Sequence, residues 1–399
     1  MSTVMSAVPP APDVDLRRLA SERVARLRGA LAEAPFDAVV LTTPESVLYA
    51  TGYRSVAGAL FRAHRMAAVV TGDDCWLVCP AADTAPAVDG GVPEDRVVPF
   101  GRFYFESSGP TPLTGAADRH PDLYAALATA TRAAGAGLRY GVEGLDGDPA
   151  LREAAGDPAA ADATGWASLV RGVKLPGEVA LLRHAARLAE AGVHAALEIA
   201  VAGVTEHELA RAVAATMVAG GAEPRFVVAT TGPRSALADA HPTDRRWRPG
   251  ELARFDIGCL YAGYWSDIGR TAVLGAPDAR QAGHYAAILA GLDEQVALTR
   301  PGVTASEVFD VAMRTVRREG VTPYRRQHCG HGIGLAVYEP PIVSPGVETA
   351  LEPGMTFCFE TPYYNLGWGG MMVEDTLVVT GDGAELFTRS PRELTVVPA

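Results

Sequence analysis

Arg254-Phe-Asp-Ile-Gly-Cys-Leu-Tyr-Ala-Gly-Tyr-Trp-Ser-Asp-Ile-Gly-Arg-Thr271 reads as two short strands joined by a tight turn. Apolar and β-prone residues flank the turn, and Gly258 and Gly263 punctuate it. In an antiparallel hairpin, opposed residues have position numbers with a constant sum. A turn centred on Tyr261-Ala262 gives a sum of 523, which sets Asp256 opposite Asp267. Two carboxylates facing each other in so apolar a stretch repel and lose hydration. A bridging cation removes both penalties, so the stretch reads as half of a metal site.

The C-terminal part of the chain repeats this arrangement. Glu178 to Val201 reads as a long helix, and Gly203-Val-Thr205 breaks it. A second helix follows to Ala219, with Thr205 as N-cap and Glu208 completing a capping box. Asp278 to Arg300, Gly302-Val-Thr304 and Glu307 repeat the pattern, with Gly302 lying 99 positions after Gly203. Asp256 stands 53 residues after Gly203, and Glu360 stands 58 residues after Gly302. Glu360 and Glu374 sum to 734, so they oppose each other across a turn centred on Gly367. Two helix-helix-hairpin halves, each with an opposed acid pair, imply a duplicated α+β domain with the site between its halves.

Gln327-His-Cys-Gly-His-Gly-Ile-Gly-Leu335 adds two histidines in a Gly-rich segment, where backbone can approach a site closely. His331, flanked by glycines, is the expected ligand in preference to His328. A single aspartate in a hairpin reads as a turn or surface residue, and a histidine beside glycine as a satisfied polar group. Two opposed acid pairs in matching halves, joined by His331, are not explained that way. Four oxygen-donor acids and an imidazole suit two divalent ions, with manganese the first expectation and cobalt, zinc or iron as alternatives. Two ions about 3.5–4 Å apart share bridging acids and activate a water.

Upstream, Val14 to Ala34 has the spacing of an amphipathic helix, Ala38 to Leu41 of a short strand, and Pro44 to Ala50 of a helix. Met66 to Thr71 and Cys75 to Cys79 read as a hairpin, Val97 to Phe100 as a strand and Leu123 to Ala134 as a helix. Strands alternating with helices make this an α/β domain without a catalytic motif of its own. The expected division is a disordered arm over 1–14, an N-terminal α/β domain over 15–168 and a catalytic domain over 169–399.

The 399 residues suffice for two cores, and 48% hydrophobic with 21% charged residues is ordinary for a globular protein. A net charge of −12 gives no general attraction to nucleic acid or anionic membrane. Five scattered cysteines fit reduced thiols in a cytoplasmic protein better than a disulfide framework or zinc site. No run of about eighteen apolar residues occurs, so no membrane span is expected.

These motifs resemble the creatinase, prolidase and aminopeptidase P branch of the pita-bread metallohydrolases. The resemblance rests on Arg171-Gly-Val-Lys174 with Glu178, Phe255-Asp-Ile-Gly258 and Gly263-Tyr-Trp-Ser-Asp-Ile-Gly-Arg-Thr271. Gly330-His-Gly-Ile-Gly334, Pro353-Gly-Met-Thr-Phe-Cys-Phe-Glu360 and Val373-Glu-Asp-Thr376 extend it. It implies a creatinase-like N-terminal α/β domain and a pita-bread α+β catalytic domain. It also implies dimetal ligands at Asp256, Asp267, His331, Glu360 and Glu374, a proton-moving role for Glu360, and a homodimer.

Three positions depart from the pattern. The peptidases of this branch carry a histidine seventeen residues before the first metal aspartate, where this chain has Asp239, with His241 two residues on. A second family histidine, seven residues after the metal histidine, is Tyr338 here. The arginine common two residues before the last glutamate is Met372. Such positions grip the substrate or steady a tetrahedral intermediate. Asp239, His241, Tyr338 and Met372 are therefore the expected substrate contacts, with Tyr338 and His241 also assigned catalytic roles beside Glu360.

The first reading is a dinuclear-metal hydrolase of an amide or peptide C–N bond, Xaa-Pro aminopeptidase- or dipeptidase-like. The alternative is a metal-dependent hydrolase or lyase of a small non-peptide substrate, ectoine-hydrolase- or creatinase-like. A non-catalytic pita-bread binding module is the third, and the retained ligand set speaks against it.

Overall fold

The computed structural model describes residues 8–109 and 119–399. Two compact units are present: Asp15–Arg171, and Gly172–Ala399 together with residues 8–14. Of the arm expected over 1–14, residues 1–7 lie outside the described residues. Residues 8–14 carry no helix or strand, and Val8 packs on the core of the second unit.

In the first unit, helix α1 (Leu16–Ala32) starts on Asp15, whose carboxylate accepts from the Arg17 and Arg18 amides, and buries Leu19, Leu27 and Leu31. Strand β1 (Ala38–Leu41) is buried along its whole length, as a central strand must be. Helix α2 (Pro44–Thr51) follows, then the hairpin β2 (Ala67–Thr71) and β3 (Cys75–Pro80). Next come β4 (Val97–Phe100), helix α3 (Leu123–Ala134), β5 (Tyr140–Val142) and β6 (Ala161–Asp162). The six strands form one mixed sheet in the order β4-β3-β2-β1-β5-β6. Leu123, Ala126, Leu127 and Ala130 of α3 close a core over Val40, Val69 and Val78.

The second unit opens with helices α4 (Pro176–Glu198) and α5 (Glu206–Ala219), followed by β7 (Glu223–Thr231), β8 (Leu252–Tyr261), β9 (Tyr264–Trp265) and β10 (Ile268–Leu274). Helices α6 (Ala279–Leu298) and α7 (Ala305–Arg318) repeat the pair. Both α5 and α7 begin on the expected capping boxes, Thr205 with Glu208 and Thr304 with Glu307. Then come β11 (Gly330–Gly332), β12 (Glu339–Ile342), β13 (Thr356–Glu360), β14 (Tyr363–Asn365), β15 (Gly369–Met371) and β16 (Glu374–Val379), with β17 (Ala384–Leu386) and β18 (Thr395–Val397) at the end. The main sheet runs β12-β11-β13-β16-β10-β8-β7.

Period-two alternation divides that sheet into two chemistries. Phe255, Ile257 and Cys259 of β8 join α4 and α5 in one apolar core, and Phe357 and Phe359 of β13 join α6 and α7 in another. Asp256, Cys358 and Glu360 occupy the intervening positions and so face the other way. The duplicated helix pairs back one face, and the acids lie on the opposite face.

The two hairpin registers came out differently. Glu360 pairs directly with Glu374, and Tyr363 with Met371, which keeps the expected sum of 734 around Gly367. In the first hairpin, Tyr261 pairs with Tyr264, and Asp256 pairs with Gly269, not with Asp267. The turn is therefore Ala262-Gly263, one position later than expected. A two-residue hairpin turn of the favoured hand needs positive φ at both central residues, and Ala262 (49°) and Gly263 (89°) supply it. A turn on Tyr261-Ala262 would force the left-handed region on a bulky tyrosine. The shift moves the pair by two in sum, so Asp256 and Asp267 become diagonal neighbours on one face.

Candidate metal centre and active site

Asp256, Gly269, Glu374 and Glu360 make one row across the adjacent strands β8, β10, β16 and β13. Gly269 is the row's only position without a side chain. A Cβ there would come 2.5 Å from Met372 Cγ, 2.8 Å from its Sδ and 3.0 Å from Glu374 Cβ. The glycine thus leaves space that Met372 and the acids share. One step along the strands, His331 pairs with Cys358 and Cys358 with Thr376. The Thr376 hydroxyl donates to the Asp267 carbonyl at 2.7 Å, tying Asp267 into this second row.

Donor atoms of Asp267, His331, Cys358 and Glu374 all lie within 4.8 Å of one another, and all four residues are buried. Asp267 Oδ1 and Glu374 Oε2 are buried without a hydrogen-bond partner. His331 Nδ1 lies 3.0 Å from the Gly332 carbonyl, which can only accept, so Nδ1 carries the proton and Nε2 presents its lone pair. Nε2 is 3.6 Å from Asp267 Oδ2. Asp256 and Glu360 line the same cavity of about 150 Å³, but their carboxylates have protein partners. Arg254 Nη1 donates to Asp256 Oδ2 at 2.9 Å. Glu360 Oε1 lies 2.9 Å from His328 Nδ1, and its Oε2 lies 3.6 Å from Arg326 Nη2.

The electrostatics follow from this crowding. Burial pushes the Asp256 carboxyl up to about 6, with Arg254 opposing and Glu360 adding to the rise. Burial, then the neighbouring carboxylates, hold Asp267 and Glu374 well above the usual carboxylate range. Burial works on Glu360 in the same direction, yet His328 and Arg326 outweigh it and keep Glu360 below its ordinary value. Burial lowers His331 and favours the neutral ring that a metal requires. The cavity lining holds Asp239, Asp256, Asp267, Glu360 and Glu374 against Arg326 as its one formal cation. That formal excess of four negative charges, with orphaned carboxylate oxygens and an imidazole lone pair, fits the divalent metal ions of the family.

The remaining expected residues are placed as follows. Asp239, Tyr338 and Met372 line the acid cavity. Tyr338 stacks on His331 with ring centroids 3.7 Å apart and planes at 21°. His241 is exposed and lines an adjoining cavity of about 320 Å³ together with Phe226, Asp239, Asp256, Asp267 and Tyr338. It does not line the acid cavity itself, but shares this neighbouring one with two of the acids.

Reading the sequence missed Cys358, Arg254 and Arg326 as neighbours of the site. Cys358 and Arg254 each stand two residues before an acid on its strand, so period-two alternation puts them on the acid's face. Arg326 lies between α7 and β11, outside any periodic element, and carried no such signal.

Residues 180–381 match the family model of metallopeptidase family M24, and residues 23–172 match that of the creatinase/prolidase N-terminal domain. The chain belongs to metallopeptidase family M24, in its creatinase/prolidase branch with the pita-bread fold. It is 36% identical over 227 residues to a Xaa-Pro dipeptidase of Pyrococcus furiosus, covering 56% of this chain and 65% of that protein. It is 39% identical over 232 residues to a probable dipeptidase PepE of Mycobacterium tuberculosis, covering 57% of this chain and 62% of that protein. The matched part thus spans under two thirds of these relatives' lengths. Among solved structures, dipeptidase PepE from Mycobacterium ulcerans superposes with a TM-score of 0.78 at 29% identity, covering 98% of this chain and all of that one. The prolidase from Pyrococcus horikoshii superposes with a TM-score of 0.76 at 27% identity, covering 94% of this chain and 99% of that one. The family implies divalent metal ions. Among the described residues, no helix is long and apolar enough to cross a membrane.

Proposed function

We propose that the protein is a dinuclear-metal hydrolase that cleaves the C–N bond of short peptides, with an Xaa-Pro dipeptide as its model substrate. The observation that carries this reading is the pair of orphaned oxygens, Asp267 Oδ1 and Glu374 Oε2, buried beside the free Nε2 of His331. Asp256, Asp267, His331, Glu360 and Glu374 would hold the ions, manganese first and cobalt, zinc or iron as alternatives. Bound there, the ions would supply a water acidic enough to attack at neutral pH and would polarise the scissile carbonyl.

The chain's own residues do the rest. Glu360 takes a proton from the attacking water at a carboxylate oxygen and delivers it to the leaving amine. His328 and Arg326 keep Glu360 ionised for that first transfer. Tyr338 covers the outer face of the His331 ring and keeps water from it. Asp239 and Met372 shape the cavity against the substrate. A second reading, hydrolysis of a small non-peptide amide, is favoured by the size of the acid cavity and by the Asp239, Tyr338 and Met372 replacements. A cytoplasmic homodimer belongs to the same proposal, and the five free cysteines support a reducing setting.

The test is to strip the protein with chelator and add back manganese, cobalt, zinc or iron. Melting temperature and hydrolysis of Xaa-Pro dipeptides are then followed beside cyclic amidines and guanidino acids. Metal-dependent cleavage of the dipeptides supports the proposal. Cleavage of the small amides alone moves it to the second reading, and no binding of any ion overturns both.

A further inference from the structure

We propose that Cys358 is a sulfur ligand of the metal centre, and that it widens the centre's preference for zinc over manganese. This rests on the metal-centre reading above and adds to it a donor outside the five acid and imidazole ligands.

Period-two alternation brings Cys358 to the acids. It stands two residues before Glu360 on β13, paired with His331 of β11 on one side and Thr376 of β16 on the other. Its side chain is fully buried, and its sulfur lies within 4.8 Å of a donor atom of each of Asp267, His331 and Glu374. Donors at the corners of a tetrahedron with that edge lie about 2.9 Å from its centre. Movements below about 1 Å therefore bring all four to metal bonds of about 2.0–2.3 Å.

Hydrogen bonding leaves the sulfur free to take part. Thr376 Oγ1, 3.4 Å from Cys358 Sγ, gives its one proton to the Asp267 carbonyl at 2.7 Å. Toward the thiol it can only accept. No donor among the described residues reaches the sulfur, whose other contact is the Asp267 carbonyl at 3.9 Å. Its lone pairs are thus unengaged in the same cluster as the orphaned Asp267 Oδ1, the orphaned Glu374 Oε2 and the lone pair of His331 Nε2.

The other cysteines show the contrast. Cys259 Sγ lies 3.5 Å from the Ala185 carbonyl and 3.3 Å from Ser266 Oγ, and Cys329 Sγ lies 3.8 Å from Met313 Sδ. Both belong to the apolar cores under the helix pairs. Cys75 and Cys79 lie on β3 of the first unit.

Chemistry sets the preference. Burial, and then the Asp267 and Glu374 carboxylates, keep the thiol protonated while no cation is bound. A divalent ion reverses that balance: the sulfur bonds to the metal and its proton passes to solvent. Nitrogen and oxygen donors alone already bind zinc more tightly than manganese, so the mark of the sulfur is the width of the gap. Thiolate is a soft donor that suits zinc, whereas manganese favours oxygen.

The experiment uses the full-length protein, stripped with chelator and kept reduced with a phosphine. Cobalt is the spectroscopic probe, because thiolate-to-cobalt charge transfer absorbs strongly in the near ultraviolet and carboxylate and imidazole ligands do not. The wild type should develop that band along with visible cobalt absorption. Cys358→Ser should keep the visible absorption and lose the band. Serine still offers Thr376 a hydroxyl, so it would rescue a cysteine that served hydrogen bonding alone. In competition titrations the variant should bind zinc roughly 10- to 100-fold more weakly, the cost of losing even an outer contact to a metal ligand. Its manganese affinity should change far less. Cys358→Ala should repeat both effects, and circular dichroism checks that each variant is folded. If neither variant folds, the wild-type band still decides, since Cys358 is the one cysteine in the cluster among the described residues. Cobalt binding without the band in the wild type, a band that persists in Cys358→Ser, or equal loss of zinc and manganese affinity overturns the proposal and leaves the metal centre standing. A wild type that binds none of the three ions overturns the metal centre, and this proposal with it.

Discussion

Glu360 on β13 stands directly opposite Glu374 on β16, two buried carboxylates in register across an antiparallel ladder. Like charges so placed destabilise a sheet, and burial compounds the cost. Arg326 and His328 beside Glu360 offset part of that cost, while Glu374 lies among Asp267, His331 and Cys358, donors whose charge a bound cation would balance.

Metal binding should therefore show as stability. An ion at 100 times its dissociation constant contributes about 2.7 kcal/mol, which corresponds to a rise of roughly 5–10 °C for a unit of this size. Differential scanning fluorimetry of chelated and manganese-loaded protein reads it directly. A melting temperature indifferent to every ion tried would remove the metal centre.

Glu374→Gln separates the two sides of that balance. In chelated protein the variant should melt above the wild type, because one of the opposed charges is gone. With metal added the order should reverse, because a ligand is gone too. A variant that is less stable in both conditions would mean that Glu374 serves packing, not a cation.

Gly269→Ala probes the space between the acids. Its Cβ would press on Met372, which can rotate, and on Glu374 Cβ at 3.0 Å, which belongs to the strand. Overpacking of this kind costs roughly 1–3 kcal/mol. Metal affinity, measured by titration, should fall more than overall stability, since Glu374 is what moves.

Much of this was legible from residues alone, for reasons that differ by element. The starts of α5 and α7 were readable because a capping box is a local device whose partners are three residues apart. The Glu360–Glu374 register was readable because the turn glycine, Gly367, with φ of 85°, stands at the centre of its hairpin. The first hairpin offered Tyr-Ala-Gly-Tyr, and the choice of central pair turned on which residue tolerates positive φ. Strand β7 escaped notice because Glu223-Pro-Arg225 looks like a loop, and the ladder there is interrupted by a bulge between Pro224 and Phe226. The pairing of Arg254 with Asp256 was open to period-two alternation, whereas the carbonyls that Arg254 also binds and the approach of Arg326 to Glu360 are set by tertiary packing that no local pattern encodes.

Arg254→Met tests the strand-borne cation that holds Asp256. Arg254 is fully buried and binds three backbone carbonyls besides that carboxylate. Removing it strands all four acceptors, and breaking a buried pair in this way costs about 3–5 kcal/mol. Urea unfolding should show the loss. A change under about 1 kcal/mol would place Arg254 among exposed, weakly coupled pairs, contrary to its burial.

Glu190 gives the protein a pH-dependent tie whose hydrogen-bond partners are not among the residues lining the acid cavity. Its Oε1 accepts from the Arg389 amide at 2.6 Å, the Ser390 amide at 2.5 Å and the Ser390 hydroxyl at 2.6 Å. Its Oε2 is 3.2 Å from Arg187 Nη1. Burial works to raise this carboxyl, but the Ser390 and Arg389 hydrogen bonds prevail and hold it below its ordinary value. A folded-state pKa lower than the unfolded one means that the unfolded chain binds the extra proton. The stabilisation is thus present above the unfolded value of about 4.3 and is lost as pH falls through the lower folded value. Glu190→Gln removes the charge at every pH, so its stability deficit against the wild type should be full near neutrality and shrink as the wild type is acidified below about 4. Hydrogen exchange at the Arg389 and Ser390 amides should accelerate in the variant, where a neutral amide oxygen replaces the carboxylate acceptor. If the deficit stays constant down to acid pH, the contribution of Glu190 is packing alone and the carboxylate tie is refuted.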